Sequence, residues 1–136
     1  MVYHNFFLLT IISTFHIILS IGGCMKKRSL VVMAILTFVT LGIYNIYWEC
    51  VVQDGLKSKT GEGFSGIVHF FLIFITFGIY DLYWQYAAGR RLEKLGGTKD
   101  NAWLYIILAV FGVGIINMFI MQNDINKFND NVTTAE

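Results

Sequence analysis

From Leu30 to Val52 only Glu49 carries a charge; from Phe64 to Gly89 only Asp81 does; from Ala102 to Asn123 no residue does. Nothing else in the chain constrains its fold so tightly. Each block reaches the roughly 20 residues that a helix needs to span a ~30 Å hydrocarbon core. Hydrophobic residues make up 56% of the chain. A domain this small has too high a surface-to-volume ratio to hide them all from water. The sequence therefore predicts an all-α integral membrane protein. Its three transmembrane helices are expected over about 29–54, 65–94 and 101–128, within a membrane domain at 25–128, followed by a frayed tail at 129–136. The chain has no proline, so nothing forces a kink.

The blocks are copies of one another. The phrase Thr40-Leu-Gly-Ile-Tyr-Asn-Ile-Tyr-Trp48 returns 36 residues later as Thr76-Phe-Gly-Ile-Tyr-Asp-Leu-Tyr-Trp84. A further 36 residues lead to Gly114, Ile115, Asn117 and Phe119, a faded third copy without the Tyr and Trp. Ser29, Ser65 and Asn101 recur at the same interval where helices start, and such residues satisfy orphan N–H groups as N-caps. The chain reads as three copies of a helix-plus-loop unit. A Thr-x-Gly-Ile-Tyr-x-x-Tyr-Trp phrase closing an apolar segment, after a Lys/Arg-Ser start, resembles the bacterial membrane family known as domain of unknown function 4234. The resemblance covers roughly 28–94. It implies a small multi-pass membrane protein and supplies no catalytic residues.

On one continuous helix, Thr40, Tyr44, Tyr47 and Trp48 share a face, with Gly42 on the opposite side; Thr76, Gly78, Tyr80, Tyr83 and Trp84 repeat the pattern. Tyr and Trp favour the membrane–water boundary, and Thr and Gly allow close helix approach. The stripe is thus expected to anchor each helix at the interface and to pack it against a neighbour. A groove for a lipid or small ligand is a second reading, and a re-entrant break at Gly42 and Gly78 a third.

Charge sets the expected orientation. Lys26, Lys27 and Arg28 precede the first block, and Arg90, Arg91, Lys94 and Lys99 follow the second; Lys57, Lys59 and Lys127 fall on the other side. The excess of positive charge puts residues 25–28 and 90–99 in the cytoplasm of a bacterial cell, with the first loop and the C-terminus outside its plasma membrane. Arg90, Arg91 and Lys94 are then expected to form a basic patch beside the membrane. Asn45 and Asn117 fall toward the outer face and Asp81 toward the inner, so the three are not expected to meet. Asp81 is the one acidic residue in its block, and an ionisable group at membrane depth raises a functional question by default. Glu49 is expected to reach headgroup water, and His69 to lie at an interface.

Residues 1–24, with no Lys, Arg, Asp or Glu, have three readings. They are an additional helix over Phe6 to Ile21, a secretory or lipoprotein signal ending at Cys24, or translated sequence ahead of a start at Met25. A net charge of +1 gives no ground for nucleic acid as a partner. Cys24 and Cys50 are too few for a zinc site or a disulfide framework, and no cofactor is expected. No Ser/His, His/Glu or paired-carboxylate arrangement suggests an enzyme. The function expected is helix–helix association in the bilayer, with a second copy or a larger membrane partner. The alternative is a small oligomeric transporter, channel or lipid-binding subunit that uses Asp81 and the Tyr/Trp stripes.

Overall fold

The structure is a computed structural model that describes residues 25–135; the readings of residues 1–24 lie outside it. The described residues are all-helical. They form α1 (Leu30–Val39), α2 (Ile43–Thr60), α3 (Gly66–Ile75), α4 (Ile79–Lys94), α5 (Asn101–Val110) and α6 (Ile115–Thr134). Each expected long helix is therefore two, a short apolar one and a longer polar one. No helix of the described residues is long and apolar enough to cross a membrane. The last helix continues through residues 129–134, where the sequence suggests a frayed tail.

The breaks fall in the repeated phrase itself. Leu41 and Gly42 take φ of 51° and 90°, and Phe77 and Gly78 take 52° and 86°. In the faded third copy Gly112 takes φ 78°. Two successive left-handed residues end a helix and turn the chain. Thr40 secures the turn from both sides. Its hydroxyl donates to Leu36 O at 2.8 Å and accepts from Tyr44 N at 3.0 Å. Thr76 repeats this with Leu72 O at 2.7 Å and Tyr80 N at 3.0 Å. No proline is needed, because glycine and a bridging hydroxyl do the breaking.

The contacts between helices fix their directions. Asp54 Oδ1 of α2 accepts from Gly66 N of α3 at 2.7 Å, and His69 lies beside Glu49. Thus α3 runs back along α2. At Gly89 of α4 a Cβ would stand 2.8 Å from the Ala102 Cα of α5; glycine lets α5 lie against α4 in the same antiparallel manner. The segment before α1 closes the ring on α6. Asn126 Oδ1 accepts from Arg28 N at 2.8 Å, and Asn129 Nδ2 donates to Met25 O at 2.9 Å. The three long helices run parallel to one another inside. Gln53 meets Trp84 between α2 and α4, and Glu62, just past the end of α2, meets Lys94 at the end of α4, while Trp48 meets Gln122 and Lys59 meets Phe128 between α2 and α6.

The three units thus surround one axis, with all breaks at one end and all connecting loops at the other. The alternating arrangement expected from charge does not occur. Lys27 and Asp130, expected on opposite sides, form an ion pair at 2.6 Å. The core is Met33, Trp48, Leu56, Trp84, Ala88, Tyr105, Met118 and Ile125, with Met25 packed at the loop end. The outer helices leave most of their apolar side chains uncovered. The two most exposed, Leu41 at 93% and Phe77 at 96%, stand at the breaks, as does Phe111 at 79%.

A Cβ added at Gly42 would meet nothing within 4 Å, so the requirement for glycine there is conformational. Gly42→Ala is expected to lower stability by about 1 kcal/mol through left-handed strain alone, and Gly42→Asn by less, since Asn tolerates that region. Denaturant unfolding of the purified chain in micelles measures both, and equal stability of Gly42→Ala and wild type would refute the account of the break.

Candidate functional site

Inside the ring of breaks stand the polar residues of the repeated phrase; Asn45 and Asp81 line one cavity, and Asn117 is linked to Asp81 through Gln85. Asn45, Asp81 and Asn117 occupy one repeat position, the third residue of α2, α4 and α6 respectively. Because those helices are parallel, the three stand at one level around the axis. The expectation that they face opposite sides of a membrane is overturned, since it assumes that consecutive units alternate in direction. A cavity of about 290 Å³ opens here, lined by Gly42, Asn45, Asp81, Gln85, Gly112 and Gly114 among others. All three units contribute to it.

One chain of hydrogen bonds runs along its wall. Gln85 Nε2 donates to Asp81 Oδ2 at 2.8 Å, and Gln85 Oε1 accepts from Asn117 Nδ2, which also donates to Tyr105 O at 2.7 Å. Asn45 Nδ2 donates to Glu49 Oε1 at 2.6 Å. Glu49 is buried, not in headgroup water as expected, and His69 is buried too. His69 Nε2 lies 3.6 Å from Glu49 Oε2, beyond hydrogen-bond reach. The His69 ring packs on Trp84 with centroids 4.7 Å apart and on Tyr80 at 5.5 Å. The break in the apolar block allows this, because it folds α4 back beneath α3.

The motif tryptophans are core residues and not interfacial anchors. Trp48 and Trp84 are each 1% exposed. Trp48 Nε1 donates to Gln122 Oε1 at 2.7 Å, joining α2 to α6, and Trp84 Nε1 donates to Gln53 Oε1 at 2.8 Å, joining α4 to α2. Of the stripe's tyrosines, Tyr83 is exposed. Tyr44 Oη accepts from Arg28 Nη1 at 3.2 Å, and the Arg28 guanidinium lies 5.8 Å from the Tyr47 ring. Thr40, Gly42, Thr76 and Gly78 form the breaks and not a helix face. The helix-packing half of the expected role therefore holds for Trp48 and Trp84, and the single continuous stripe does not exist.

Sequence reasoning misses three glutamines and an arginine. Gln53, fully buried, accepts from both Trp84 Nε1 and Arg91 Nη1 and donates to Phe64 O. Arg91, expected in a basic patch beside lipid, is instead buried against Gln53. Gln85 and Gln122 complete the set. The available signal is that these amides fall in the polar halves of the units, where a membrane span has no use for them. At the loop end, Glu62 lies beside Lys94, whose ammonium hydrogen bond holds its carboxyl below the usual glutamate range.

A family model described as Domain of unknown function (DUF4234) matches residues 28–94 and again residues 64–127. The second match begins 36 residues after the first, so the middle unit serves in both and the faded third copy is matched as a true one. No curated protein and no solved structure matches the chain.

Gln53→Leu leaves two buried donors without an acceptor, at about 1–3 kcal/mol each. It is expected to destabilise by about 2 kcal/mol or more, while Trp84→Phe, which removes the donor itself, leaves Arg91 still paired with Gln53. Unfolding curves that put Gln53→Leu within about 0.5 kcal/mol of wild type, the range of an ordinary surface change, would contradict this network.

Proposed function

The chain belongs to the DUF4234 family, and from that premise we propose that it is a non-enzymatic membrane protein that sinks its three apolar units into one leaflet of a bilayer and acts there by helix–helix association. The observation that carries this reading is the segregation of its ends. Leu41, Phe77 and Phe111 project from the breaks, while the ion pairs Lys27–Asp130 and Lys94–Glu62 gather at the other end. An exposed apolar surface of this extent marks a lipid or protein contact.

Length and hydrogen bonding support the same placement. A ten-residue helix is about 15 Å long, half of a ~30 Å hydrocarbon core. Entering hydrocarbon requires that backbone groups be paired internally. At the first break Leu41, Gly42, Ile43 and Asn45 donate their N–H groups to Phe38, Thr37, Thr40 and Gly42 carbonyls, and Tyr44 donates to the Thr40 hydroxyl. The second break repeats the set from Phe77 to Asp81. These turns carry no unpaired donor into lipid. The apolar outer helices offer their faces to a second copy or to a larger membrane partner, and the plasma membrane is the setting proposed. A second reading, a small oligomeric transporter, channel or lipid-binding subunit, is favoured by the cavity beside Asp81.

Single-cysteine variants distinguish one-sided insertion from three spans. In a background with Cys24 and Cys50 replaced by serine, Lys27→Cys, Glu62→Cys and Asp130→Cys are expected to react with an impermeant maleimide from the same side of sealed vesicles. Phe77→Cys is expected to react only after detergent is added. Labelling of Lys27→Cys and Asp130→Cys from opposite sides would exclude insertion from one face.

A further inference from the structure

We propose that Glu49 and His69 together form a buried proton-binding site, with one proton held between Glu49 Oε2 and His69 Nε2, and that loss of this proton at rising pH loosens α3 from the bundle. The inference does not rest on one-sided insertion, since it concerns a contact within the chain. Among the described residues, α3 packs on α2 and α4 and on no other helix. Its buried residues are Gly66 and His69, so one side chain seats it. The same repeat position holds Met33 in α1 and Tyr105 in α5, neither of which titrates near neutrality. His69 Nε2 faces Glu49 Oε2 at 3.6 Å, and the two side chains are 0% and 6% exposed. Neither ring nitrogen of His69 has a hydrogen-bond partner among the described residues. Glu49 Oε1 accepts from Asn45, and the Trp84 and Tyr80 rings cover the imidazole.

Without a proton the pair carries −1, with one it is neutral overall, and with two it carries +1. Burial opposes a net charge, so the docked pair keeps one proton. The charges around it favour the same state. Asp54 on α2 is bonded to Gly66 N, Asp81 on α4 to Gln85, and Arg91 on α4 to Gln53. Two carboxylates against one guanidinium resist the loss. Cys50 and the tyrosines of α2 and α4 are neutral in this range. α1 carries no charge, and Arg28 ahead of it is engaged with Tyr44 and Tyr47. The remaining charges of α2, α4 and α6 are Lys57, Lys59, Arg90, Glu93, Lys94, Asp124, Lys127 and Asp130, all in the loop-end halves of their helices. His69 is the fourth residue of α3, near its positive end, which opposes a second proton. At the breaks, helix ends of both signs stand side by side. Glu49, the seventh residue of α2, lies beyond the first turn, where such end effects fade.

Once α3 lifts away, the two groups titrate as free ones, near about 4.3 and 6.5. Above about pH 6.5 the open state has lost the proton that the docked state retains, so docking weakens as pH rises. Below about pH 4.3 the open state takes a second proton and docking weakens again. α3 carries Phe71 and Phe74 outward, both exposed, so its release moves an apolar face offered to partners.

Amide hydrogen exchange of the full chain in micelles, corrected for the intrinsic pH dependence of exchange, measures this. Protection of α3 is taken relative to α5, which Ala102 and Tyr105 seat. The ratio is expected to be level up to about pH 6.5 and to fall about threefold above it for each half unit by which the docked pair outlasts a free imidazole. Glu49→Gln leaves no carboxyl to ionise, so the ratio should rise toward pH 6.5 and stay level beyond. His69→Met, the residue of the first unit, leaves Glu49 alone and should start the fall about two pH units lower. Circular dichroism checks folding, and if Glu49→Gln does not fold, His69→Met decides. A wild-type ratio level to about pH 9, a fall unchanged in folded Glu49→Gln, or a fall in His69→Met that starts at the wild-type pH would each overturn the site.

Discussion

A helix that ends in two left-handed residues has to turn, and in this chain that turn decides where everything else stands. Thr40 closes it by accepting from Tyr44 N and donating to Leu36 O, so one hydroxyl ties the end of α1 to the start of α2. Thr76 does the same for α3 and α4. The non-glycine residue in each turn, Leu41 or Phe77, holds a positive φ, which ordinary side chains avoid at roughly 1–2 kcal/mol. The saturated hydrogen bonds around it offset that strain. Because every unit doubles back in the same sense, every loop returns to one end. Lys27 can then meet Asp130, and Asn45 can stand level with Asp81.

The same turn divides the labour between the helices. The short ones carry Val31, Ile35, Phe38, Phe71, Phe74 and Ile107 outward, all uncovered. The long ones bury tryptophans and amides together. In water this is the wrong way round, since apolar surface is exposed while Gln53, Asn117 and Gln122 are inside. In hydrocarbon it is a consistent solution. Dispersion and interhelical hydrogen bonds hold helices together there, and Trp48–Gln122 and Trp84–Gln53 are such bonds. Pairing polar groups with one another across helices is what these buried amides achieve.

Much of this is legible in the sequence, and the remainder is hidden for a physical reason. The 36-residue period, the helical class, the three units and the family all follow from the phrase at Thr40 and its copy at Thr76. The direction of the chain after the phrase does not. A hydropathy average over Leu30–Val52 sums a short apolar helix and the start of a longer one, and it cannot see a turn between them. Gly42 and Gly78 are the local sign, but glycine is also common where membrane helices pack closely. Only the placement of Glu49, His69 and Gln53 separates the two meanings, because a continuous span would put those groups in lipid. With the direction reversed, Asn45, Asp81 and Asn117 fall on opposite faces, and their convergence is lost with it.

Where the units differ is as informative as where they agree. The helix directions are common to all three and the two-residue left-handed break to the first two, while the third turns on Gly112 alone; the inward positions have diverged. Met33, His69 and Tyr105 occupy one repeat position and are all buried; Gln53, Gly89 and Ile125 occupy another. Three identical inward residues would give a symmetric axis with like groups facing like. With different residues, Gln53 can serve Trp84 and Arg91 at once, and Gly89 can admit Tyr105 close to α4. The third unit has Ile120 where the others have Trp, and its copy of the phrase is faint to the eye for that reason. The polar residue is nonetheless retained as Asn45, Asp81 and Asn117, in a fold whose other inward positions were free to change. Hydrogen bonding gives a reason: Asp81 and Asn117 are the two partners of the buried Gln85 amide and Asn45 is bonded to buried Glu49, and an aliphatic residue at any of the three places would leave a buried polar group unpaired.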